Sequence, residues 1–279
     1  MKVTFYGVRG SIPTPGPDTA RYGGNTPCVV LQSDSGQKLI LDAGTGLRLA
    51  SNEFENYNDT IHILLSHHHW DHLQGFPFFS PIFKKGVNIT IYPGSTTLNH
   101  DTAILDQMSK SYFPVKFHQL PSTITLKKTN FSVDEGIEVG DFVIQAMDMN
   151  HPDGGSAYRI KCDNQILVYA TDNELTAPDS HRFRTVQQWG EFCANADLLI
   201  HDAQYLDHEM SQKFGWGHSP ISETLNLAHN ANVKMLSLFS HDPLRTDEEI
   251  DDLTAKILKT NPDFSFFFAK EGQSLILRE

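Results

Sequence analysis

The stretch Ile61-His62-Ile63-Leu64-Leu65-Ser66-His67-His68-His69-Trp70-Asp71-His72 sets an apolar strand directly before a cluster of ionisable side chains. Successive residues of an extended chain face opposite ways, so His67 and His69 share one side of the strand end and His68 faces the other. Asp71 and His72 then fall in the turn that enters a predicted helix. Imidazole nitrogens with a carboxylate oxygen suit Zn²⁺, Mn²⁺ or Fe²⁺ rather than thiolate-preferring metals. Packing alone does not call for so many ionisable groups at one strand end. The spacing therefore predicts a metal centre built on His67, His69, Asp71 and His72.

The surroundings of this stretch alternate between strands and helices. Short β-rich runs at residues 3–8, 28–33, 38–41 and 61–65 are punctuated by Gly and Asp, and Ser33-Asp34-Ser35-Gly36 predicts a hairpin between the second and third. A helix is predicted over 97–110, and further strands over 88–92, 142–147, 157–161 and 165–170. The last third alternates helix 184–193, strand 197–201, helix 219–230, strand 233–239, helix 247–259 and strand 264–268. Ser219-Pro220, followed by Glu223, predicts a helix start with Ser219 as cap and Pro220 at the first helical position. The pattern predicts an α/β protein with sheet inside and helices outside: a four-layer α/β/β/α sandwich, residues 1–279 forming one domain. Residues 76–130 are the least regular part, a candidate cap or interface. Phe76, Phe78, Phe79 and Phe83 lie close together there, and Pro77 and Pro81 prevent one regular helix from burying them all. Some of that surface is expected against a second copy of the chain, near the metal cleft, giving a homodimer.

Composition narrows the function. The 279 residues are 39% hydrophobic and 20% charged, which excludes a disordered or fibrous chain. No apolar run is long enough to span a bilayer, and the N-terminal residues lack a basic stretch followed by an apolar one, so a cytoplasmic enzyme with no membrane partner is expected. The formal charge of −12 argues against gripping extended nucleic acid, for which only Lys84-Lys85 and Lys127-Lys128 offer paired cations. Cys28, Cys162 and Cys193 are far apart and form no Cys-x-x-Cys, so neither a disulfide framework nor a thiolate zinc site is expected. Tyr22-Gly23-Gly24-Asn25 is not a phosphate-binding loop. Histidine is abundant, at 14 residues. Among these, His151 and His241, together with Asp172, end predicted strands as single polar residues and supply the ligands a second metal needs.

The pattern formed by His67, His69, Asp71 and His72 resembles the His-X-His-X-Asp-His hallmark of the metallo-β-lactamase superfamily, and His151, Asp172 and His241 follow in the matching order. The resemblance implies one divalent ion on His67, His69, His151 and Asp172. It implies a second on Asp71, His72, His241 and Asp172, with Asp172 bridging. Zinc is the first choice, manganese or iron the alternatives. Leu198-Leu199-Ile200-His201-Asp202-Ala203 and Gly217-His218-Ser219 resemble motifs of the phosphodiesterase branch. That branch includes transfer-RNA 3′-processing endonucleases, phosphoribosyl cyclic phosphodiesterases and cyclic-nucleotide phosphodiesterases. Gly7-Val8-Arg9-Gly10-Ser11 and Tyr22-Gly23-Gly24-Asn25-Thr26 resemble its small cyclic-phosphate members.

The resemblance implies hydrolysis of a small cyclic phosphate or cyclic nucleotide by a hydroxide held between the ions, whose water would have its pKa lowered toward ~7. His201 is the expected general acid, oriented by Asp202. His218 is expected to touch substrate phosphate, Asp71 to serve the reaction as well as the metal, and Asp42 to orient a ligand histidine. A transfer-RNA 3′-processing endonuclease is the main alternative, followed by a lactone or thioester hydrolase or a binding module on the same scaffold.

Overall fold

Apolar residues occupy both faces of most strands, so each sheet needs cover on both sides. The computed structural model describes residues 1–95, 100–260 and 264–278. The strands are β1 (Lys2–Gly7), β2 (Cys28–Gln32), β3 (Lys38–Leu41), β4 (Ile61–Leu64), β5 (Asn88–Tyr92), β6 (Thr123–Leu126), β7 (Ile137–Val139), β8 (Phe142–Asp148), β9 (Ser156–Cys162), β10 (Gln165–Ala170), β11 (Leu198–Asp202), β12 (Leu236–Phe239), β13 (Phe266–Phe268) and β14 (Ser274–Ile276). One sheet runs β14-β1-β2-β3-β4-β5-β6, the other β13-β12-β11-β10-β9-β8-β7. Both are mixed. In the first, β3 to β6 are parallel and the hairpin β2–β3 antiparallel; in the second, β8 to β10 are antiparallel and β10 to β13 parallel.

Period-two alternation decides which layer each side chain joins. Val3, Phe5, Val29 and Leu31 meet Leu167, Tyr169, Leu198 and Ile200 between the sheets. Their neighbours Cys28 and Val30 face the outer side of the first sheet, with Leu47, Phe76, Phe79 and Ile82. Val168, Ala170 and Leu199 face the outer side of the second, with Trp189, Leu227 and Ile250. The helices Val186–Cys193, Ile221–Asn230 and Asp247–Thr260 carry those last three residues. The expected helix–sheet–sheet–helix layering is present, and all three cysteines are buried and free.

Several local expectations are corrected. After the histidine cluster the chain forms only a 3₁₀ turn, Trp70–His72, then two more at Phe76–Phe78 and Ser80–Phe83, and Pro77 and Pro81 keep these turns from joining into one continuous α-helix. Phe76 and Phe79 are fully buried in the core of the first sheet, while Phe78 and Phe83 are exposed. The helix predicted over 97–110 is reduced to Ala103–Asp106, its first part (97–99) lying outside the described residues. Thr102 and His100 both bond the side chain of Asp106, its last residue. Ser219 does not cap the next helix, which runs Ile221–Asn230 with Pro220 as cap residue. Its hydroxyl instead donates to the Asn173 carbonyl at 2.6 Å and accepts the Leu175 amide at 3.0 Å. No helix of the described residues is long and apolar enough to cross a membrane.

Candidate metal centre

The C-terminal ends of β3, β4, β8, β10, β11 and β12 deliver Asp42, His67, His151, Asp172, Asp202 and His241, each within a few residues of its strand. Asp42 (φ 61°), Asp172 (φ 48°) and Ser240 (φ 60°) adopt left-handed backbone as they leave their strands. Such conformations are uncommon outside glycine and collect at sites where side chains must be aimed.

Three imidazoles converge first. The ring of His67 lies 4.6 Å from that of His69 and 4.8 Å from that of His151, centre to centre. His69 Nδ1 and His151 Nε2 are 3.0 Å apart. His67 Nδ1 meets the Ser66 hydroxyl at 3.0 Å, while its Nε2 is buried with no hydrogen-bond partner. That Nε2 points to Asp172 Oδ2, 3.7 Å away. A buried nitrogen lone pair left unmatched among other ligand-type atoms is what a divalent ion would satisfy. Burial, with the neighbouring His72 and His151, holds His67 well below the usual imidazole range, and burial takes His151 down to about 3, so both are neutral and free to act as donors.

A second group adjoins it. His72 Nε2 lies 3.3 Å from Oδ2 of both Asp71 and Asp172. Burial opposes protonation of His72, but Asp71, Asp172 and Asp42 outweigh it and raise its pKa well above the ordinary value. Two carboxylates packed on one imidazole at this distance form a cation's donor set as well as an ion pair. His72, His151 and Asp71 are held from behind, as metal-binding histidines and carboxylates require. Asp42 Oδ2 accepts from His72 Nδ1 at 2.9 Å, the Ser66 hydroxyl at 2.8 Å and Tyr169 at 2.7 Å. His151 Nδ1 donates to the Gly217 carbonyl at 2.9 Å, and the Ser11 amide donates to Asp71 at 2.9 Å. Asp42 thus holds the His72 ring through Nδ1.

The remaining predicted residues separate. His68 faces away and bonds the Pro93 carbonyl at 2.6 Å. His241 follows Ser240, whose hydroxyl reaches Asp172 at 3.3 Å, but its own Nε2 donates to the Ala269 carbonyl at 2.8 Å. Among the described residues, the ligand-type groups closing within 4.8 Å are His67–His69–His151, His67–His72–Asp172 and Asp172–Asp202–His218; His241 is in none of them. His201 is fully buried on the outer face of β11, against the Trp189 ring 6.1 Å away. Its Nδ1 donates to the Asp202 carbonyl at 2.7 Å and its Nε2 accepts from the Asn173 amide at 3.2 Å. Both nitrogens are committed inside the protein, and burial depresses its pKa to about 4, so the expected assignment of His201 as proton donor is not the one this geometry favours.

His218 instead lies beside Asp172 and Asp202. Its Nδ1 meets Asp202 Oδ2 at 2.6 Å, and the Ser219 amide donates to Asp202 Oδ1 at 2.9 Å. Burial works against the imidazolium, but Asp202 and Asp172 raise His218 to about 9. Burial lifts Asp202, and the proton still rests on His218. The Asp202 carboxylate therefore holds His218, while its backbone carbonyl holds His201. Asn173 and Glu174, which sequence reasoning passed over, also serve the site. Asn173 accepts the Asn150 amide, one residue before His151, at 2.9 Å. The only sequence signal was the unbroken polar run Asp172-Asn173-Glu174 at a strand end.

Comparison with known proteins agrees with this arrangement. The beta-lactamase superfamily domain model matches residues 37–241, a span that holds all the proposed ligands. A ribonuclease Z of Staphylococcus carnosus is 23% identical over 97% of this chain and 98% of its own. The metallo-beta-lactamase fold protein YhfI of Bacillus subtilis superposes with a TM-score of 0.67 at 23% identity, covering 99% of each chain. A diphosphatase of the PhnP family superposes with a TM-score of 0.67 at 17% identity over 99% of this chain and 98% of its own. With the family model covering the strand ends and the histidine cluster alike, this chain belongs to the beta-lactamase superfamily and is a metal-binding hydrolase of the metallo-β-lactamase fold.

Proposed function

We propose that this hydrolase is a binuclear metal-dependent phosphodiesterase acting on small cyclic phosphates or cyclic nucleotides. The observation that carries the proposal is the adjacency of Asp172, Asp202 and His218, which sets a buried, charged imidazole beside the carboxylate that faces the three-histidine group. One ion would be held by His67, His69, His151 and Asp172, and a second by Asp71, His72 and Asp172, with His241 completing it through Nδ1. Zinc is the first choice for such nitrogen and carboxylate donors, with Mn²⁺ or Fe²⁺ as alternatives. Bound divalent ions supply charge neutralisation for a phosphodiester and acidify a water to serve as nucleophile.

The chain's own residues do the rest. Asp71 and Asp172 hold fixed negative charge where cations are needed. His218, kept protonated by Asp202, stands ready to give its proton to a departing alkoxide. Asp202 is buried and bonded to the Ser219 and Gln204 amides, so it holds the ring in place. The ion-bearing site reverses the local sign of a chain whose overall charge is −12, which allows an anionic substrate to enter.

The ribonuclease Z relatives support a second reading, cleavage of precursor transfer RNA. The sparse cations outside the site favour the small substrate. Incubating the protein with bis-p-nitrophenyl phosphate, a cyclic-nucleotide panel and precursor transfer RNA separates the two. The exposed Phe78, with Phe113 edge-on at 5.6 Å, supports assembly of one domain with a second copy as a homodimer.

A further inference from the structure

Glu174 is a buried carboxylate, 1% exposed, that the proposed chemistry does not use. It lies two residues after Asp172, where the chain leaves β10. No lysine or arginine neutralises it among the described ion pairs; its partner there is His181, at 3.5 Å. Burying a carboxylate costs several kcal/mol unless hydrogen bonds replace its water. Here backbone amides do so. Oε1 accepts from Gly215 at 2.9 Å, and Oε2 accepts from Gly217 at 2.9 Å. Gly215 (φ 85°) and Gly217 (φ 87°) both sit in left-handed backbone, which lets two amides of one short loop turn toward a single carboxylate.

That loop feeds the site in two ways. The Gly217 carbonyl accepts the Nδ1 proton of His151. The approach is so close that a Cβ on Gly217 would lie 1.9 Å from His151 Nδ1. The next residue is His218. The amide of Glu174 also donates to the Asn150 carbonyl at 2.9 Å, one residue before His151. We propose that Glu174 is a positioning residue: its carboxylate clamps the loop 215–217, so that one anchor sets both the ring of His151 and the place of His218 beside Asp202. The inference rests on the reading of His151 as a ligand and His218 as a proton donor.

The test uses Glu174→Gln, which keeps the volume but puts an NH₂ group where an acceptor is needed. Glu174→Asp is the milder second variant, and His218→Asn the reference. The first readout is hydrogen exchange of the Gly215 and Gly217 amides in the metal-free protein. The second is the ratio of kcat for a cyclic nucleotide, with its alkoxide leaving group, to kcat for bis-p-nitrophenyl phosphate. Glu174→Gln should speed exchange of at least one of the two amides by more than tenfold and lower the ratio by roughly 10–100-fold, the usual effect of losing a group that orients a ligand. Glu174→Asp should fall between it and the parent. Unchanged amide exchange overturns the clamp. An unchanged ratio in Glu174→Gln, with the ratio lowered in His218→Asn, overturns its link to the donor. An unchanged ratio in His218→Asn sinks the donor reading instead, and amide exchange then decides the clamp by itself.

Discussion

His218 Nδ1 and Asp202 Oδ2 lie 2.6 Å apart in the protein interior, joining the end of β11 to a loop sixteen residues further along the chain. Charge-assisted hydrogen bonds of this kind are short, and removing one partner leaves the other charge buried and uncompensated. His218→Asn should therefore lower turnover of alkoxide-leaving substrates by roughly 10²–10⁴-fold and spare p-nitrophenyl esters, whose leaving group needs no proton. Asp202→Asn should act in the same direction. Because the donor must be protonated, the rate for alkoxide substrates should decline as pH rises through about 9. A rate profile flat across that range, or equal losses for both leaving groups, would remove His218 from the role.

His201 gives an opposite pH signature. Its folded pKa, about 4, lies below the ordinary imidazole value of about 6.5, so the unfolded chain binds its proton first. Its contribution to stability is present above about pH 6.5 and is lost as pH falls toward 4, at about 1.4 kcal/mol per pH unit. Denaturant unfolding of the metal-free protein should show that slope reduced by about one proton in His201→Asn. An identical slope in the two proteins would place the proton elsewhere.

Asp42 makes a separable prediction. It accepts from His72, Ser66 and Tyr169 without belonging to the close ligand groups. Asp42→Asn keeps the shape, removes an acceptor, and should weaken metal binding by roughly 10–100-fold. Competition with a chromophoric chelator measures this, and unaltered affinity would deny Asp42 its orienting role.

The histidine cluster was legible because its information is local. Strand alternation aims His67 and His69 together and sends His68 to the Pro93 carbonyl. The same alternation, applied to β11, would have placed His201 correctly. Leu198 and Ile200 face the other sheet, so His201 must face the helices and Trp189. Asp202 then falls at the strand end, where the site is. Its pairing with His218 depends on how the loop 215–217 returns, and no residue spacing encodes that. Ser219 misled for a chemical reason: Ser-Pro before Glu223 has the composition of a helix start, but Asn173 and Leu175 compete successfully for its hydroxyl. The layered fold was readable because nearly every strand carries apolar residues on both faces.

Assembly offers a simple check. Phe78, Tyr112 and Trp70 are exposed, and Phe113 packs edge-on to Phe78, leaving aromatic surface on and after the segment that carries His67, His69 and His72. Covering such surface is a common reason to dimerise. Multi-angle light scattering should give twice the chain mass at micromolar concentration, with Phe78→Asp shifting it toward the monomer. A monomer mass for the parent protein would leave these rings as plain surface.

Metal content and phosphodiesterase turnover, measured on one preparation, decide whether the site is a binuclear phosphodiesterase centre. The protein is stripped with chelator, then titrated with Zn²⁺ or Mn²⁺ while hydrolysis of bis-p-nitrophenyl phosphate and a cyclic-nucleotide panel is followed. Turnover should be absent after stripping and return as the second ion per chain is bound. Two ions bound with no turnover of any small phosphodiester, above all if precursor transfer RNA is cleaved by the same sample, would contradict it.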